Sequence, residues 1–375
     1  MNAARLRIEK AVLGNFTARA AVENALWDGL GKRRDVPVAA FFGGAVQTLM
    51  EVAWTLASGN SDTDIAEAQE MLAIRRHRQF KLKVGKRLVR DDIAHVSRIK
   101  SALGAAATIT VDVNQAWDMH AARCGMTGLQ EIGVAMVEQP VPGHLRAELA
   151  QLAAASGIDV MADEGLHGPA DALAHARDRA ADAFAVKIAQ SGGLTRAQED
   201  IAIGQAAGLG LYGGTTLEPG VGTAAALQLF ATVETLRWGT ELFGPLLFTD
   251  DILTAPLRYG DFQMHRPDGP ACGVTLDADK VAHYGRGAAR PMAVTAAARK
   301  RHLSFDRGAS QRGWIYSAAA TMSALVAGTA ACVFRTKSKF TFSTVSLAFS
   351  KWPTRLSLTA KTPSSSSQSQ EPSWI

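Results

Sequence analysis

Cysteine is scarce in this chain, and Cys124, Cys272 and Cys332 lie too far apart to make a Cys-X-X-Cys pair. That excludes a disulfide-built scaffold and the common paired-cysteine zinc and redox sites, and three unpaired thiols suit a reducing cytoplasm. The opening MNAARLRIEK has no continuous apolar run of the kind that directs secretion. Residues 315–334 are uncharged and long enough to cross a bilayer. They are mostly Ala, Ser, Thr and Gly rather than Leu or Ile, so no membrane span is expected. No two of the nine histidines have metal-ligand spacing on one helix face. His77, His95 and His175 are expected as solvated helix residues, and the run Arg75-Arg76-His77-Arg78 as an exposed helix end. The Gly-rich segment GGTTLEPGVGT lacks the Lys-Ser/Thr ending of a phosphate loop.

Acidic residues are missing from one region in particular. Residues 287–375 hold 12 Lys and Arg against 2 Asp and Glu, which leaves 28 against 33 for residues 1–286. The net charge of +5 is therefore a property of the C-terminal stretch, and the acidic body gives no footing for nucleic acid. A hydrophobic fraction of 47% with 20% charged residues is ordinary for a folded globular protein. At 375 residues there is room for a barrel and a second small unit.

From about residue 51 to residue 245, short β-rich runs alternate with Ala-rich stretches of helical pattern. The runs are EVAWTLA, FKLKVG, TITVDVNQAW, VAMVEQP, DVMADE, AFAVKIAQSGG, GLYGGTTLE and LRWGTELF. This rhythm predicts repeated β-α units on a parallel sheet, and eight such runs favour a closed barrel over an open sheet. Ahead of it, residues 18–31 read as an amphipathic helix stopped by Gly31. Behind it, residues 246–286 carry TAPLRYGDFQMH and CGVTLD, expected as short strands of an accessory unit. Beyond residue 287 the pattern dissolves into a basic, β-branched and Ser-rich tail.

Polar residues recur where the runs end: Lys81 and Lys83, Asp112 and Asn114, Glu138, Asp163 and Glu164, Lys187, and Glu218. Successive intervals from Lys83 to Lys187 are 29, 26, 25 and 24 residues, about one β-α unit each, so in a barrel these residues surround a single mouth. An acid or lysine inside an apolar strand is costly unless paired or bound to metal. Asp112, Glu138 and Asp163 on adjacent strands would repel one another. A hard divalent cation, magnesium or manganese, removes that repulsion. Lysines flanking it, with ammonium pKa lowered by each other and by the cation, can move protons at neutral pH. A lone acid at a strand end is more often a helix cap or a surface ion pair, but Glu138 precedes Gln139-Pro140 and Lys187 cannot cap a helix N-terminus. Lys81 also reads as a solvated strand residue, and Glu164 as either a partner behind the ligands or a surface acid.

The segments ALWDGLGK, EVAWTLASG, RRHRQFKLKVG, VDVNQAW, EQP, MADE, KIAQSGG, LYGGTTLE and TELFGPLLFTDDIL, in that order, resemble the muconate and chloromuconate cycloisomerases of the enolase superfamily. The resemblance covers roughly residues 16–286. It implies an α/β fold, a modified TIM barrel of (β/α)7β form with a truncated N-terminal α+β capping domain. Residues 1–50 would be the remnant of that cap, 51–245 the barrel, 246–286 a segment returning to the cap, and 287–375 an atypical tail. By the same resemblance Asp112, Glu138 and Asp163 bind Mn2+ (or Mg2+), and Lys83 is the general acid/base with Lys81 beside it. Lys187 faces the substrate from the other side, and Glu218 meets a substrate carboxylate. Asn114, Glu164 and Thr216 bind substrate or stand behind the ligands. The implied activity is closure of a small dicarboxylate, cis,cis-muconate or a chloromuconate, into a lactone by a cytoplasmic enzyme that can form homo-oligomers. Other lysine-pair enzymes, a dipeptide epimerase or o-succinylbenzoate synthase, share the superfamily's residues, and a non-catalytic remnant would keep them too. TTLEPG departs from the family's TMLEG by a proline beside the acid. A mouth without its full cap is expected to stay open and to turn over slowly.

Overall fold

Alternation of short apolar strands with Ala-rich helices is realised from residue 53 to residue 230 in the computed structural model, which describes residues 1–285 and the strands at 329–336 and 339–346. In chain order the elements are α1 (Asn2–Ala11), α2 (Phe16–Arg34), β1 (Leu49–Glu51), β2 (Ala53–Leu56), α3 (Ser61–Ala73), β3 (Gln79–Lys83), α4 (Val89–Leu103), β4 (Thr108–Asp112), α5 (Met119–Glu131) and β5 (Met136–Glu138). There follow α6 (Arg146–Ala155), β6 (Asp159–Ala162), α7 (Pro169–Asp178), β7 (Ala183–Val186), α8 (Ile188–Ser191), α9 (Leu194–Ala206), β8 (Gly210–Gly213), α10 (Gly220–Phe230), β9 (Tyr259–Gly260), β10 (Gln263–His265) and α11 (Ala278–Tyr284). Local chemistry starts several helices. The Asn60 side chain accepts from Thr63 N ahead of α3, and Asp118 accepts from Ala121 N ahead of α5.

Strands β2 to β8 form one sheet in sequential order with every pair parallel. The run LRWGTELF, expected as a full eighth strand, closes the ring through a single residue. Thr240 bridges Val52 on one side and Gly213 on the other. Four backbone hydrogen bonds make the seam: Thr240 N to Glu51 O, Ala53 N to Thr240 O, Gly213 N to Gly239 O and Glu241 N to Gly213 O. Gly239 has φ +68, and a Cβ there would meet Glu51 O at 2.6 Å, so the chain turns sharply just where a longer strand would need to run straight.

Strand alternation sorts the side chains into two sets. Phe80, Leu82, Ile109, Val111, Val137, Val160 and Phe184 join the apolar layer shared with the helices. Burial of one such side chain contributes roughly 1.5–3 kcal/mol. Met136, Met161, Ala183, Ala185, Tyr212 and Trp238 form a separate buried cluster. Two residues further along the chain from Met136, Met161 and Ala185 stand Glu138, at the end of β5, and Asp163 and Lys187, just past β6 and β7, so this cluster forms the floor beneath the charged groups.

Helix α2 runs through Gly31 to Arg34 and ends where Asp35 takes a left-handed conformation, φ 54. Gly31 therefore does not stop the helix. A Cβ there would lie 2.6 Å from Ala271 Cα, so the residue is small because another chain segment crosses it. That segment is held by Val38 N to Ala271 O and Ala271 N to Val36 O. Residues 246–286 also supply β9 and β10, which pair with β1 in an antiparallel sheet of order β1-β10-β9.

All three histidines expected in solvent are buried. His77 stacks on Trp54 and donates from Nδ1 to Val52 O at 2.8 Å, His95 lies between Ser61 and Asp64, and His175 donates to Asp171 O. His77 lies in the loop between α3 and β3 rather than on a helix and packs on β2, whereas His95 joins α4 to α3 and His175 packs from α7 against Phe184 of β7, placements that helical periodicity does not reveal. Of the run around His77, Arg75 and Arg78 are exposed as expected. Within the tail, residues 329–336 and 339–346 pair as antiparallel strands, and the remainder of 287–375 lies outside the described residues, as does most of the 315–334 stretch. No helix among the described residues is long and apolar enough to cross a membrane.

Candidate active site

Pairing register brings the charged residues together at one end of the barrel. Lys83 is the register partner of Asp112, and Asp112 that of Glu138. Glu138 pairs with Met161, two residues before Asp163. Lys81 and Lys83, two apart on β3, project to the same side. Asp112, Glu138 and Asp163 are each at most 1% exposed.

The carboxylates and lysines are interleaved. Lys187 Nζ lies 2.5 Å from Asp163 Oδ2, and Lys83 Nζ pairs with Asp112 Oδ2. Lys83 also donates to Asn114 Oδ1 at 2.8 Å, and Asn114 Nδ2 donates to Glu164 Oε1 at 3.1 Å. Lys81 Nζ lies 2.5 Å from Glu138 Oε2, pairs with Glu241, and sits 4.8 Å from the Tyr212 ring centroid. Burial works against the Lys81 ammonium, and Glu138 and Glu241 overcome it, holding its pKa well above the ordinary lysine value. Lys187 behaves alike: burial opposes its charge, and Asp163 and Glu241 outweigh it. The lowering of lysine pKa expected from mutual repulsion is thus reversed for Lys81 and Lys187, because each has an acid in contact.

The acids divide. Burial and then the charge of Asp112 push Glu138 well above the carboxylate range. Asp163 is held below it although burial acts the other way, because Lys187 pairs with it. Burial, with Asp163 and Asp112 nearby, pushes Glu164 up to about 7. Glu138 Oε1 has no hydrogen-bond partner, and Glu138 Oε2 meets Lys81 as an ion contact without hydrogen-bond geometry. A buried carboxylate with an unpartnered oxygen, set between two further buried acids on adjacent strands, is a donor set that suits a hard divalent cation. As the side chains stand, no three His, Cys, Asp or Glu among the described residues are gathered around one point in the manner of a metal cage. Asp112 and Asp163 are each turned to a lysine.

Glu218 does not join this cluster. Its carboxylate closes its own turn, accepting from Thr215 Oγ1, from Thr216 N at 3.0 Å and from Thr216 Oγ1 at 2.6 Å, with Leu217 at φ +66 between them. Thr216 is exposed and serves that turn. The acid that reaches the lysines is Glu241, which also accepts from Thr215 N at 3.2 Å and from Tyr212 OH at 3.4 Å. It lies in LRWGTELF, and an acid in the eighth β-rich run was the available signal.

Residues 64–280 match the family described as enolase C-terminal domain-like, and residues 1–43 match the N-terminal domain of mandelate racemase / muconate lactonizing enzyme. The chain is 50% identical over 282 residues to muconate cycloisomerase 1-2 of Acinetobacter lwoffii, covering 75% of this chain and 73% of the relative. It is 42% identical over 288 residues to a chloromuconate cycloisomerase of Cupriavidus necator, covering 77% and 78%. Among solved structures, a muconate lactonizing enzyme from Pseudomonas fluorescens complexed with muconolactone superposes with a TM-score of 0.74 at 48% identity, covering 76% of each chain.

Proposed function

The chain belongs to the mandelate racemase / muconate lactonizing enzyme family, and from that premise we infer that it is a muconate cycloisomerase, which closes cis,cis-muconate into muconolactone. The observation that carries this reading is the meeting of Lys83, Lys187 and three buried acids at one barrel end, in a chain 50% identical over 282 residues to a muconate cycloisomerase. The relatives described above carry cycloisomerase names, which favours this reading over a dipeptide epimerase or o-succinylbenzoate synthase.

Asp112, Glu138 and Asp163 are the residues that would hold a divalent cation, and manganese, with magnesium as the close alternative, fits their all-oxygen donor set. When bound it supplies positive charge beside a substrate carboxylate, where negative charge develops during ring closure. The substrate's other carboxylate forms a C–O bond to the far end of the conjugated double bond. The π electrons move toward the first carboxylate and leave an ene-diolate. Lys83 Nζ then gives a proton to the carbon next to it, and takes that proton back in the reverse direction. Asn114 orients Lys83 through its Oδ1 and is itself held by Glu164. Lys187 contributes positive charge from the opposite flank, and Lys81, sealed between Glu138 and Glu241, fixes those two acids rather than meeting substrate. The test is ultraviolet loss of cis,cis-muconate, and of chloromuconates in parallel, with and without manganese.

A further inference from the structure

Three glutamines just beyond site-bearing strands tie the strand ends together through their side-chain amides. Gln115 Oε1 accepts from Gly143 N at 2.9 Å, reaching the loop after β5. Gln139, next to Glu138, accepts at Oε1 from Asp163 N at 2.9 Å and Gly165 N at 3.2 Å, and donates from Nε2 to Val141 O at 2.9 Å. Gln190, three residues after Lys187, donates from Nε2 to Asp163 O at 2.5 Å and to Leu166 O at 2.9 Å.

Asp163 lies one residue past the end of β6, where the sheet ladder no longer supplies partners for its backbone. Its N–H is taken by Gln139 from the preceding strand's loop, and its C=O accepts from Gln190 of the following one as well as from Leu166 N of its own turn at 2.9 Å. The peptide that carries the Asp163 carboxylate is therefore gripped from both sides by uncharged groups. An amide can do this without adding another charge to a cluster already crowded with acids and lysines, whereas a carboxylate or ammonium there would shift that balance. Gln139 is fully buried, and its backbone has φ +37, an unfavourable conformation for a residue with a Cβ that persists only where the surroundings impose it.

We propose that Gln139 is a positioning residue, which by holding Asp163 N–H and Gly165 N–H sets where the Asp163 carboxylate stands relative to Glu138 and Lys187, with Gln190 completing the grip. This rests on the reading of Asp163 as a metal-binding acid. A Gln139→Met variant keeps the side-chain length and removes the amide. Three measurements separate positioning from mere loop stapling: manganese affinity by electron paramagnetic resonance of the free ion, amide hydrogen exchange at Asp163 and Gly165 without metal, and melting temperature. The variant should remain folded, bind Mn2+ about tenfold or more weakly, the usual cost of losing a group that orients a ligand, and exchange both amides at least about tenfold faster. A folded Gln139→Met with wild-type manganese affinity overturns the proposal. If that variant does not fold, Gln190→Met is made at a half-buried position where Nε2 also reaches Asp163 Oδ1 at 3.4 Å, and the grip is then read from amide exchange at Asp163 and Gly165 together with manganese affinity: unchanged exchange overturns it. A wild-type chain that binds no Mn2+ overturns the metal reading itself. Amide exchange then decides the grip alone, and unchanged exchange in the variant overturns it.

Discussion

Lys81 and Lys83 stand two residues apart on the same face of β3, yet the Lys81 side chain is 1% exposed and that of Lys83 is 23% exposed. The inner lysine is locked between Glu138 and Glu241, while the outer one reaches the mouth and shares its protons between Asp112 and Asn114. One strand thus presents a buried, doubly ion-paired lysine and a partly exposed lysine, the proposed proton-transfer group, within a single alternation of the backbone.

Substitution at the two positions should therefore fail in different ways. Lys83→Ala should abolish turnover while leaving metal affinity nearly unchanged, since Lys83 is not a proposed ligand. Lys81→Met leaves Glu138 and Glu241 buried without their cation and should cost about 3–5 kcal/mol of stability. Denaturant unfolding and manganese binding on both variants check this. A Lys81→Met protein as stable as wild type would contradict the assignment.

Gly31 offers a test in which local and tertiary effects have opposite signs. Helix propensity alone predicts that Gly31→Ala stabilises by about 1 kcal/mol. The crossing at Ala271, where the added Cβ would come within 2.6 Å of Cα, predicts a loss of about 1–3 kcal/mol. The expected outcome is the loss, read as a lower melting temperature.

Asp200 should make stability depend on pH from outside the active site. Burial, with Glu199 and Asp171 adding to it, pushes its carboxyl up to about 7, and Ser191 Oγ donates to it at 2.6 Å. Between its ordinary value of 3.8 and about 7, the folded chain keeps a proton that the unfolded chain has released. Stability from this group is therefore full at low pH and falls as pH rises through that window, by on the order of 4 kcal/mol at most. Asp200→Asn removes the dependence. The melting temperature of the variant minus that of wild type should rise between about pH 4 and about pH 7 and level off above it, and a flat difference would contradict the burial argument.

Much of this architecture was legible because a barrel writes it into the chain repeatedly. Seven runs of about one β-α unit became strands, and period-two alternation placed Lys81 with Lys83 and Glu138 above Met136. What escaped depended on contacts between distant segments. Gly31 looked like a helix stop because its reason for being small, Ala271, is 240 residues away. The three histidines had unremarkable spacing, and only packing shows His77 against Trp54. Glu218 ends the seventh β-rich run and Glu241 lies inside the eighth, and the choice between them turns on which carboxylate finds donors in its own turn. The glutamine grip on Asp163 was invisible for the same reason, since each of its bonds crosses from one strand end to another.

The central claim, that this chain closes muconate using the acids and lysines of the barrel mouth, is tested most directly by one assay. Purified protein is stripped of metal with a chelator and incubated with cis,cis-muconate, and ultraviolet absorbance is followed before and after manganese is added, with Lys83→Ala in parallel. Wild type should show metal-dependent loss of muconate with formation of muconolactone, and Lys83→Ala none above background. Absence of manganese-dependent loss in the folded wild-type protein, or equal loss by the variant, would contradict the claim.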